Sequence, residues 1–128
     1  MVESLLGRTR RHDLRFCRNG RIDISSRVSR ALGLKNGDVI DILHDDRTDD
    51  CWLYRAAHAG EHSRHEAQVL NPQRAHIGHA MRAHSVRLCR AVLALAKFSG
   101  DVLRIPAGTQ LETVEGHDAL PIIIRNNL

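Results

Sequence analysis

The chain has 128 residues, a mass of 14.4 kDa, an apolar share of 42% and only 3% aromatics, so it has room for one modest aliphatic core. No apolar run approaches the length of a membrane span, and Met1–Asp13 lacks the apolar stretch of a secretory signal, so a cytoplasmic location is expected. The formal net charge is +4, and the three cysteines (Cys17, Cys51, Cys89) are odd in number and far apart, which excludes a disulfide framework and a CxxC zinc knuckle.

The charges are segregated along the chain. Residues 1–30 hold eight arginines (Arg8, Arg10, Arg11, Arg15, Arg18, Arg21, Arg27, Arg30) against Glu3, Asp13 and Asp23. Residues 31–60 are acidic, with Asp38, Asp41, Asp45, Asp46, Asp49 and Asp50. A basic end beside an acidic one makes an oriented field, which suits a polyanionic partner.

Residues 1–12 read as a flexible basic arm. Leu14–Cys17 reads as a strand, Asn19-Gly20 as a tight turn, and residues 21–24 as the returning strand. Ser25 and Ser26 can accept from free helical N–H groups, so a helix starts there. Its apolar positions are Val28, Ala31 and Leu32, and Gly33 stops it. After the turn Leu34–Asp38, the residues Val39, Ile40 and Ile42 predict a strand. The run 44–50, HDDRTDD, predicts a polar hairpin tip, and Cys51–Ala56 the returning strand. Residues 58–66 form a polar, His-rich linker, so the organisation reads as an arm (1–12), a first unit (13–57), the linker, and a second unit (67–128) sharing the core.

In the second unit Ala67–Leu70 reads as a strand, Asn71-Pro72 as a turn, and residues 73–84 have no clear assignment. Ser85 caps the best helical stripe of the chain, formed by Val86, Leu88, Cys89, Val92, Leu93 and Leu95. Ser99-Gly100 is expected to end it. Asp101–Ile105 follows as a strand, broken by Pro106-Ala107-Gly108. Leu111–Val114 and Ala119–Ile124 are short strands around the turn Glu115–His117. Pro121 predicts an edge position or a strand start.

Residues 25–42 (SSRVSRALGLKNGDVIDI) echo residues 85–105 (SVRLCRAVLALAKFSGDVLRI). Ser25 meets Ser85, Arg27 meets Arg87, Arg30 meets Arg90 and Ala31 meets Ala91. After a three-residue insertion, Gly37-Asp38-Val39 meets Gly100-Asp101-Val102, and Ile42 meets Ile105. Either two amphipathic segments coincide by chance, or a unit was duplicated and each half supplies one side of a shared core.

The first of these segments carries a resemblance. Gly20, Arg21, Ile22, Ile24, Arg27, Arg30, Leu32, Gly33, Leu34, Gly37, Asp38 and Ile42 follow the pattern of the AbrB/MazE family of swapped-hairpin transcription factors and antitoxins, with Ser25 where the family usually has proline. The match covers some 30 residues, and the two-copy layout also resembles two-copy AbrB-like proteins of bacteria. The resemblance implies a mainly β fold with short helices, a swapped-hairpin or cradle-loop barrel, and double-stranded DNA as partner. It also allows a homodimer or a partner protein. It implies DNA contacts from Arg15, Arg18 and Arg21 on the hairpin and Arg27 and Arg30 on the helix. On physical grounds alone the same arginines are either a phosphate-gripping cluster or an ordinary solvated face with Asp23 neutralising one of them. The rival expectation is a protein-interaction module of the same fold that has lost DNA contact.

No enzyme is expected, since there is no GxSxG elbow, local Cys–His signature, P-loop or dinucleotide fingerprint. No cofactor and no metal are expected. His58, His62 and His65 share a spacing, as do His76 and His79, yet Gly60 and Ser63 make a poor helix and no ligand set closes. The acids at 45–50 lack the glycine and terminal glutamate of a calcium loop. Trp52 and Tyr54 share a sheet face, where packing is expected over base stacking.

Overall fold

A computed structural model describes residues 13–56, 67–70 and 80–124. The basic arm, the linker and the histidines His58, His62, His65, His76 and His79 lie outside the described residues. Among the described residues the fold is mainly β, with two four-stranded antiparallel sheets and two helices. The strands are β1 (Leu14–Cys17), β2 (Arg21–Ile24), β3 (Val39–Asp45), β4 (Asp50–Ala56), β5 (Met81–His84), β6 (Val102–Ile105), β7 (Glu112–Val114) and β8 (His117–Ile122). Helix α1 spans Ser26–Leu32 and α2 spans Val86–Ala96.

Each sheet takes two strands from before the linker and two from after it. The first sheet has the order β5-β2-β1-β6, with the β1–β2 hairpin flanked by later strands. The second has the order β3-β4-β8-β7, two hairpins side by side. Neither hairpin can bury a face alone, so the aliphatic residues of both halves meet in one cluster, including Phe16, Ile22, Val28, Leu53, Val92 and Leu120. Segment 67–70 was expected as a strand, but it makes only single bridges, Gln68 to Val39 and Leu70 to Arg82. Those bridges stitch β3 of one sheet to β5 of the other. Ala107 makes a third bridge, to Ile122. Among the described residues the sheets therefore stay open and no barrel closes.

The strands alternate as their sequences demand. Leu14 and Phe16 of β1, Ile22 and Ile24 of β2, Met81 and Ala83 of β5, and Leu103 and Ile105 of β6 point inward. Gly20 closes the first hairpin at φ 106°, and a Cβ there would lie 2.8 Å from His84 Nε2 and 2.9 Å from Val86 Cγ2. Only glycine fits both the dihedral and the space.

Both helices start and stop by the same chemistry. Ser25 Oγ accepts from the Val28 N–H at 3.2 Å, and Ser85 Oγ accepts from the Leu88 N–H at 3.0 Å. Gly33 and Lys97 both take the left-handed conformation, and the following N–H groups donate back, Leu34 to Ser29 and Phe98 to Leu93. Helix α2 thus ends at Ala96, earlier than the expected Ser99-Gly100. Lysine as a left-handed cap leaves no mark in a sequence. The two Gly-Asp-Val turns also share a contact. Asp38 O accepts from Val69 N at 2.7 Å, and Asp101 O accepts from Arg18 N at 2.8 Å. The likeness fails in the strands before the helices: Ile24 is buried beside its cap, whereas His84 is exposed beside the other.

Two further expectations change. Residues 81–84, unassigned in the sequence, are β5. Pro121, expected at an edge or a strand start, sits inside β8, paired to Trp52 of β4. Its carbonyl accepts from Gly108 N at 2.7 Å on the other side, where β7 has already ended, so the missing N–H falls on a side with no strand ladder to lose.

Candidate functional site: a guanidinium row across one sheet

The outward positions of the first sheet are aligned by its register. Arg82 lies opposite Asp23, Asp23 opposite Arg15, and Arg15 opposite Arg104. One row therefore crosses all four strands as Arg82–Asp23–Arg15–Arg104. Arg21, two residues from Asp23, stands on the same face opposite His84.

Asp23 is the centre of this row. Its carboxylate receives Arg82 Nε at 2.9 Å, and Arg21 Nε and Arg15 Nη1 lie 3.3 and 3.7 Å from it. Three guanidiniums around one carboxylate leave an excess of positive charge, and Arg104 adds another with no ion-pair partner among the described residues. The groups are 41–51% exposed for Arg15, Arg21 and Arg82, so they remain open to a ligand. Two open grooves border the row. One, of about 340 Å³, is lined by Arg15, Asp23, Ser25 and Arg82, and the other, of about 490 Å³, by Cys17, Arg18, Arg21 and Val102.

The five arginines singled out in the sequence have separate surroundings. Arg15 and Arg21 meet on this face. Arg18 folds its guanidinium onto the loop after α2, donating to the Gly100 carbonyl at 2.7 and 3.1 Å and to the Phe98 carbonyl at 3.2 Å. Arg27 closes on Asp13 and on the carbonyls of Ala107 and Gly108. Arg30 is exposed in the last turn of α1. Sequence reasoning missed Arg82 and Arg104. The alternation in DVLRI carried a signal for Arg104, and the brevity of β5 hid Arg82.

The second sheet carries the opposite sign. Its outward row reads Asp41–Tyr54–Ala119–Glu112 across β3, β4, β8 and β7, and the adjacent row holds Leu43, Trp52 and Pro121. Trp52 Nε1 donates to Glu112 Oε1 at 3.1 Å, and the Tyr54 ring lies 4.4 Å from that of His117. Burial, together with the charge of Asp41 and a hydrogen bond to it, raises the Tyr54 phenol above its ordinary pKa. At the β3–β4 tip the Arg47 backbone N–H holds the Asp45 carboxyl below its ordinary value. Among the described residues no three His, Cys, Asp or Glu side chains are grouped to hold a metal, and no helix is long and apolar enough to cross a membrane.

The chain matches no family model, no curated protein and no solved structure.

Proposed function

We propose that the chain is an AbrB-like DNA-binding protein, a transcription regulator or antitoxin-type factor that acts by occupancy without catalysis. The observation that carries this reading is the row Arg82–Asp23–Arg15–Arg104 with Arg21 beside it, a partly exposed cationic face. Guanidiniums in such an array grip phosphates and read guanine edges bidentately. The DNA-facing set in this proposal keeps Arg15 and Arg21 and adds Arg82 and Arg104. Arg18 and Arg27 serve the fold, and Arg30 is a peripheral phosphate contact.

The finer reading of the fold belongs to the same proposal. The chain is a duplicated unit, two copies of a strand–helix–strand element interleaved as a swapped-hairpin dimer would be. The matched serine caps, the matched left-handed helix ends and the matched Asp38 and Asp101 carbonyl contacts support it. The bridges through residues 67–70 and Ala107 are then the vestige of a cradle-loop barrel.

A fluorescence-anisotropy titration with random duplex DNA at low salt tests the function. Binding at micromolar protein is expected, and each arginine lost from the row lowers the salt slope by about one. Absence of binding, or binding indifferent to Arg15→Ala, Arg82→Ala and Arg104→Ala, overturns the proposal. The rival reading, a protein-interaction module, is favoured by one feature, the acidic and aromatic face of the second sheet.

A further inference from the structure

The two outward rows match in length as well as in charge. Arg82 and Arg104 stand on the two edge strands of the first sheet, three strand-to-strand steps apart. Asp41 and Glu112 stand on the two edge strands of the second, also three steps apart. At about 4.8 Å per step, each pair spans about 14 Å. All four residues are exposed. Between the carboxylates lie the half-buried Tyr54 and the fully buried Ala119, and next to them the half-buried Leu43, Trp52 and Pro121. Between the guanidiniums lie Arg15 and Asp23.

We propose that the guanidinium row of one copy docks on the carboxylate row of a second copy, so that the protein associates head to tail through its two sheets. Arg104 then meets Asp41 and Arg82 meets Glu112 at the ends of the rows, which sets the Arg15 guanidinium over the Tyr54 ring. One molecule cannot satisfy itself in this way. The rows lie on the outer faces of different sheets, and the inner faces are filled by the shared core. The contact is between unlike surfaces on outer faces with the core between them, so repetition gives an open chain or a ring. The covered area includes the aromatic residues of the second sheet, which supply apolar contact beneath the charges. This association does not rest on the DNA reading, although it occupies the same arginines.

Sedimentation velocity on the full chain, free of nucleic acid, over a concentration series at low and high salt tests it. The weight-average mass is expected to rise with concentration at low salt and to return to the monomer at high salt. The double variants Arg82→Glu with Arg104→Glu, and Asp41→Arg with Glu112→Arg, are each expected to weaken association by about tenfold or more. An equimolar mixture of the two double variants restores it, because each reversed row then faces the other. Circular dichroism reports whether each variant is folded, and the neutral variants Arg82→Gln with Arg104→Gln and Asp41→Asn with Glu112→Gln replace any that is not. A wild-type monomer at every concentration overturns the proposal. So does association indifferent to both double variants, or a folded mixture that stays monomeric. Failure of DNA binding leaves every one of these outcomes readable.

Discussion

Arg27 grips Asp13 with two nitrogens, Nη2 to Oδ2 at 2.8 Å and Nε to Oδ1 at 3.2 Å, and so ties the first helix to the start of the first strand. The same guanidinium donates to the carbonyls of Ala107 and Gly108 at 2.9 Å each, and Asp13 Oδ2 also accepts from the Ala107 N–H at 2.9 Å. Asp13 is only 7% exposed. One ion pair thus joins the two halves of the chain. Removing Arg27 leaves a buried carboxylate and two carbonyls without their donor. Since Arg27 itself is partly exposed, water recovers some of the loss, and Arg27→Ala is expected to cost about 1–3 kcal/mol. Urea unfolding measures it. DNA affinity of the folded fraction should stay within about twofold, which separates this arginine from those of the row.

Asp23→Asn removes the one carboxylate from the guanidinium row. Arg15, Arg21 and Arg82 then lose their shared counter-charge. Duplex DNA is expected to bind several-fold more tightly at low salt, with a steeper salt dependence. Anisotropy titrations at two salt concentrations check it, and weaker binding in a folded variant contradicts the expectation.

Ser25→Ala and Ser85→Ala each delete a helix cap of the same geometry. Each is expected to destabilise the fold by about 1 kcal/mol, and the double variant by nearly the sum, because the caps belong to different helices. Equilibrium denaturation of the three variants settles it. Ser25→Asp, at the more open of the two sites, should preserve its cap.

Alkaline pH should loosen the protein. Burial pushes the Cys51 thiol up to about 11, with the charges of Asp49 and Asp50 adding to it, and burial likewise pushes the Cys89 thiol up to about 11. A folded pKa above the unfolded value means that the native state holds its proton longer. The resulting stability is complete below the unfolded value of about 8.5 and is lost as pH rises through about 11. The urea midpoint should fall across that window. Cys51→Ala and Cys89→Ala should flatten the fall, and thiol reagents should meet little reactivity until the chain unfolds.

Gly20→Ala tests the first hairpin. The new methyl would need φ near +106° and would press on the His84 ring and the Val86 methyl. A loss of about 2 kcal/mol or more is expected, read from the thermal midpoint.

Much of this fold was legible because it is written in local patterns. The alternation of LRFC and RIDI around Asn19-Gly20 announces a hairpin, and the serines announce both helix starts. What was not legible depends on partners distant in sequence. β5 is four residues with one long apolar side chain, Met81, and becomes a strand only because β2 offers it an unpaired edge. Pro121 argues against an inner strand until one sees that β7 stops short of it. The site was half legible for the same reason. The sequence singled out Arg15 and Arg21 among five arginines, but the pairing of β1 with β6 and β2 with β5 decides that Arg104 and Arg82 complete the row. Arg27 looked like a surface group because its carboxylate and carbonyl partners lie 14, 80 and 81 residues away.

The interleaving of strands bears on how this polypeptide is made. When the ribosome has released the first hairpin, the strands that must flank it on both sides have yet to be translated. The β3–β4 hairpin likewise waits for β8, which follows α2 and β6 in the chain. A nascent chain therefore carries bare sheet edges until the strands of its second half have been made.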